Sequence, residues 1–146
     1  MQGYGFGQLI ASDRPIRGLS TIGEPTPAVP SIVVTSRPAR GVSGDAEPPL
    51  WSRLDDALVF PPPGVGAYRG TTETIMVTPA PAADPDSVDA LLIATALPAM
   101  VWLQGHFLLH AAAIVPAGGD CALAITGVSG SGKSWLAAAF LARDAR

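Results

Sequence analysis

The sequence predicts an α/β protein, with a small, variable β-rich N-terminal region over residues 1–84 and part of an α/β domain over residues 85–146. Three observations lead there. Gly127-Val128-Ser129-Gly130-Ser131-Gly132-Lys133-Ser134 fits the pattern G-x-x-x-x-G-K-[ST] at every fixed position. That stretch has a short apolar run of strand length before it, residues 121–126, and a run of strong helix formers after it, residues 135–143. Upstream of residue 85, by contrast, short β-leaning runs are separated by clusters of proline and glycine.

The glycine-rich stretch carries the chemistry. Glycines let the backbone turn tightly and approach a phosphate with no Cβ in the way. The loop presents successive N–H groups to an anion, and the helix after it adds unsatisfied N–H groups and the positive end of its dipole. Residues Gly127 to Ser134 are therefore the candidate nucleotide-binding residues. Lys133 is the candidate catalytic residue, a point charge for the β- and γ-phosphates, and Ser134 is the candidate metal ligand, its hydroxyl placed for Mg²⁺. ATP and Mg²⁺ are the implied cofactors. Lys133 is also the only lysine in a chain whose other basic residues are all arginine.

Taken in order, residues 4–10 alternate loosely and read as a first strand, closed by a turn at Ser12-Asp13-Arg14-Pro15. Residues 23–30 carry three prolines and read as extended or looped. Residues 31–35 are a short β candidate, 41–49 a surface loop, and 57–60 another short strand before the rigid turn Pro61-Pro62-Pro63-Gly64. Residues 72–78, rich in β-branched side chains, read as a strand leading into a linker at 79–85. A helix follows, capped by Ser87 or Asp86 and kinked or reset at Pro98. It is apolar on most faces, which predicts a buried helix with little in this chain to be buried against. Residues 106–115 and 121–126, joined by the turn Pro116-Ala117-Gly118-Gly119-Asp120, read as a β-hairpin, with a helix as the alternative for the alanine run. His106 and His110 would share one face of a strand. With no third ligand near, they read as structural histidines and not as a zinc site. In the final helix Leu136 and Phe140 fall at helical spacing, and Arg143 suits its C-terminal end.

Composition narrows the function classes. The net charge is −3, with no basic patch to suggest a nucleic-acid partner. A single cysteine, Cys121, excludes a disulfide framework; it reads as a small buried hydrophobe, and a reducing, cytoplasmic setting fits. Residues 90–119 contain no Asp, Glu, Lys or Arg, a length that could span a membrane. Pro98, Gln104, Gly105, His106 and His110 interrupt the run, so no membrane segment is expected.

The order of helix, Gly-His-Phe-Leu-Leu-His-Ala-Ala-Ala-Ile-Val, Gly-Gly-Asp, short strand and Gly-Val-Ser-Gly-Ser-Gly-Lys-Ser resembles the HPr kinase/phosphorylase-like proteins over residues 87–143. The resemblance implies a phosphate-loop sheet like that of ATP-dependent phosphoenolpyruvate carboxykinase, and a kinase that moves the γ-phosphoryl of ATP to a serine of a protein or peptide, such as HPr or a precursor peptide. It places His110 in the neighbourhood of the active site and implies a homo-oligomer for the full-length protein. The acids that hold Mg²⁺ and act as base in that family lie downstream of the loop, whereas only Asp144 follows here. The chain is thus expected to be an incomplete, inactive piece of a longer kinase, with no base of its own to assign. Another phosphate-loop ATPase or small-molecule kinase, or a non-enzymatic remnant, are the competing expectations.

Overall fold

The computed structural model describes residues 1–21, 32–38 and 51–145. The architecture is mixed α/β, in two compact units, residues 1–106 and 107–146. The loops expected at 23–30 and 41–49 lie outside the described residues.

The first unit is an eight-stranded sheet with a helix packed on it. Its strands are β1 (Gln2–Gly5), β2 (Gln8–Ser12), β3 (Ser20–Thr21), β4 (Ile32–Ser36), β5 (Ser52–Leu54), β6 (Ala57–Phe60), β7 (Gly66–Gly70) and β8 (Thr74–Pro79), in the spatial order β3-β1-β2-β4-β8-β7-β6-β5. The neighbours are antiparallel except β2–β4 and β4–β8, which are parallel. The stretch read as one strand over 4–10 is a tight hairpin. Gly5 pairs with Gln8, and the two residues between them, Phe6 and Gly7, take φ of 55° and 71°. Positive φ at both central positions matches the twist that a two-residue hairpin demands. The strand β7 was missed by the sequence reading because its two glycines weaken any β signal.

Alternation fixes the buried face. Ile32 and Val34 of β4 and Ile75 and Val77 of β8 are buried, each pair two residues apart as a pleated strand requires. Registered pairing aligns Ile10 with Ile32 and Val34 with Ile75. Onto this face lies one helical rod, α1 (Pro85–Leu91), a π-helical turn (Leu92–Ala96) and α2 (Leu97–Leu103). It buries Val88, Leu92, Ala96, Leu97, Met100 and Val101, residues spaced by three, four or one along a single stripe. The Tyr68 hydroxyl of β7 donates to the Val88 carbonyl at 2.7 Å, and Met100 sits over Gly70. Asp89, only 4% exposed, accepts from the Arg14 guanidinium at 2.5 Å and the Arg17 N–H at 3.0 Å.

These contacts correct two expectations. The helix over 85–103 belongs to the unit built by the N-terminal sheet, so the compact unit runs to His106 and does not stop at residue 84. The helix is also not buried all round: Trp102 is exposed. By length and composition residues 85–103 could cross a membrane; here their apolar stripe lies on the sheet. The N-cap is Asp84, whose carboxylate accepts from the N–H groups of Asp86 and Ser87. Pro85 fits the first helical position because its fixed φ is helical and its missing N–H is not needed there. Pro98 does not end the rod. It lacks the N–H that would bond Ala94, and its ring crowds that carbonyl. The wider π-helical turn just upstream accommodates this, with the Leu97 N–H reaching the Leu92 carbonyl.

Candidate functional site

The second unit consists of the strands β9 (Ala111–Ile114) and β10 (Leu123–Thr126), antiparallel, and the helix α3 (Lys133–Leu141). The alanine run is thus a strand, in spite of alanine's helix propensity, because each residue from Ala111 to Ile114 pairs with one from Leu123 to Thr126. The connection is longer than expected, running over 115–122, so Cys121 lies ahead of the strand and is exposed, not buried.

From Thr126 the chain enters the glycine loop and emerges as α3. Gly132 is the N-cap at φ 83° and ψ 17°, a left-handed conformation that a residue with a Cβ adopts only at a cost. A Cβ at Gly127 would come within 2.7 Å of the Ser131 hydroxyl oxygen. The Ser131 N–H bonds the Val128 carbonyl, and the Leu136 N–H bonds the Gly132 carbonyl at 2.8 Å to open the helix. Having no side chain, Gly132 offers no cap to the first N–H groups of α3.

Lys133 folds back over this loop. Its ammonium donates to the carbonyls of Gly127 and Val128 at 3.0 and 3.1 Å. The positive charge is therefore held over the loop's concave side. His110, immediately before β9, faces the loop across a hollow of about 350 Å³ that Ser129, Lys133, Ser134 and Trp135 also line. The candidate residues Gly127 to Ser134 are thereby one contiguous turn, with Lys133 and Ser134 at a shared opening. His106 is elsewhere. It closes the first unit, with its Nε2 3.2 Å from the Gln8 amide nitrogen, so the two histidines do not share a strand face. The arrangement suits an oxyanion: N–H groups at a helix start, one ammonium, and a backbone that only glycine leaves open. At Gly130 and Gly132 an added Cβ would meet no atom within 4 Å, so the left-handed backbone, and not lack of space, calls for glycine there.

Mg²⁺ would find one protein ligand here, the Ser134 hydroxyl. Among the described residues no group of three or more His, Cys, Asp or Glu could hold a metal ion. Asp144, the one downstream acid, lies past the end of α3. Arg143 lies just past that end too, and its guanidinium reaches back to the Ala139 carbonyl at 3.3 Å.

Sequence reasoning overlooked Trp135. Within the run of helix formers, a large aromatic side chain directly after Ser134 is a signal in itself. Trp135 is 76% exposed.

Compared with protein-family models, with curated proteins and with solved structures, the chain matches none.

Proposed function

We propose that residues 107–145 bind the triphosphate of ATP, as the nucleotide-holding part of a serine kinase of the HPr kinase-like type. The observation that carries this reading is the strand, glycine loop and helix in series, with Lys133 folded over the loop. The hairpin before the loop, and His110 beside its mouth, support the kinase class over other phosphate-loop proteins.

In this reading the loop N–H groups and the first turn of α3 seat the phosphates. Lys133 exchanges its two carbonyl partners for phosphate oxygens and draws charge from the group being transferred. Ser134 offers its hydroxyl to Mg²⁺, which when bound neutralises the β- and γ-oxygens. The phosphoryl acceptor is a serine hydroxyl of a protein or peptide in the cytoplasm. No general base is assigned among the described residues, so nucleotide binding is the measurement on which the proposal stands.

The test is calorimetric titration of the full chain with Mg·ATP. Lys133→Ala removes a charge-assisted contact worth about 1.5–3 kcal/mol, so affinity should fall by roughly 10- to 150-fold. Equal affinity in the two proteins, with unchanged circular dichroism, would refute the proposal. Label from the γ-phosphate appearing on an added serine peptide, and not as free phosphate, separates a kinase from an ATPase.

A further inference from the structure

The proposed ATP site has a charged end made by Lys133 and the loop, and it has an unclaimed aromatic beside it. On α3 the large apolar side chains Leu136, Phe140 and Leu141 are all exposed, and Trp135 is the most exposed of them. Trp135 lies about 100° round from Leu136, the rotation of one helical residue. Its ring borders the hollow shared with His110, Lys133 and Ser134. It also borders a second hollow of about 390 Å³, with Thr126, Gly127 and Leu136. The Trp51, Phe60 and Tyr68 rings stack on one another in the first unit; Trp135 has no such ring partner among the described residues. A bare indole beside a polyanion cradle offers a flat apolar face on which a ring can stack.

We propose that Trp135 is the stacking platform for the purine base of the nucleoside triphosphate, and the residue by which this site separates ATP from a bare triphosphate. The proposal rests on the ATP-binding reading of the loop. The loop N–H groups would cradle the α- and β-phosphates, Lys133 would reach the β- and γ-phosphates, and Ser134 would offer its hydroxyl to Mg²⁺. Trp135 comes next in sequence, within reach of the nucleoside. An aromatic face accepts any base, so the platform supplies affinity for a nucleoside, and preference among bases would be slight.

The experiment titrates the full chain with Mg·ATP and, separately, with magnesium tripolyphosphate. Trp135→Ala should weaken ATP binding roughly five- to a hundredfold, as loss of one stacked base does. Tripolyphosphate affinity should be unchanged, and Trp135→Phe should restore most of the ATP affinity. A second readout leaves Trp135 in place. With Trp51→Phe and Trp102→Phe, Trp135 is the sole indole of the chain, and ATP should quench its emission while tripolyphosphate should not. The proposal falls if Trp135→Ala weakens both ligands alike or neither, or if both ligands quench equally. If tripolyphosphate binds independently of Lys133, the reading of the loop fails and takes this proposal with it; if that binding depends on Lys133 but ATP preference does not depend on Trp135, only the platform is lost.

Discussion

Gly70→Ala is the sharpest test of where the apolar helix belongs. Gly70 ends β7, and a Cβ built there would lie 2.1 Å from Met100 Sδ, 2.8 Å from its Cε and 3.0 Å from its Cγ. Comfortable heavy-atom contact begins near 3.5 Å, so the sulfur must retreat by about 1.4 Å. Met100 is 2% exposed and cannot swing into solvent. Overpacking of this kind costs about 1–3 kcal/mol. The backbone at Gly70 is not left-handed, so alanine also stabilises through the unfolded chain by about 0.4–1 kcal/mol. The net expectation is a loss of up to about 2.6 kcal/mol. Urea titration followed by the near-ultraviolet signal of Trp51, stacked on Phe60 at 4.8 Å, reads the first unit directly. Met100→Ala alone should cost about 2–5 kcal/mol through the cavity it leaves. The double variant should cost less than the sum, because each change relieves the other. A stabilising Gly70→Ala, or strict additivity with Met100→Ala, would mean that the helix does not rest on β7.

Other expectations follow from the same unit. Burial pushes the Tyr68 hydroxyl up from 10.0 to about 12, with the nearby Asp89 carboxylate adding to the shift. Its folded pKa exceeds the unfolded one, so its contribution is fully present below pH 10 and lost as pH rises toward 12. The denaturation midpoint should therefore fall over that window in the wild-type protein, and Tyr68→Phe should flatten the slope while removing about 0.5–1.5 kcal/mol at neutral pH. Asp89→Asn, which weakens the acceptor for both Arg14 and the Arg17 N–H, should cost about 1.5–3 kcal/mol by the same urea assay. Neutralising Asp86, whose pair with Arg17 is solvent-exposed, should barely move the midpoint.

Legibility from sequence tracked how local each determinant is. The glycine loop was readable residue by residue, because a tight turn followed by a helix start is set by glycines at 127, 130 and 132 and by the helix formers after Ser134. The runs at 31–35, 57–60 and 72–78 were legible as strands from their β-branched and apolar residues. The hairpin at Phe6-Gly7 was not, because Phe at positive φ is disfavoured in isolation and only the pairing of Gly5 with Gln8 holds it there.

The sequence by itself determined the glycine loop, the approximate strands of the N-terminal region and the existence of a long apolar helix. Each depends on neighbours within a few residues, through backbone freedom, side-chain branching or period. Tertiary structure alone decided what that helix covers. It rests on β7, where the small Gly70 leaves space for Met100 and the Tyr68 hydroxyl bonds the Val88 carbonyl. Those partners lie 20 or more residues away in sequence, as Tyr68 is from Val88. Tertiary structure also brought His110 to the mouth of the loop. Sequence spacing records distance along the chain, and burial depends on which distant residues arrive at the same place.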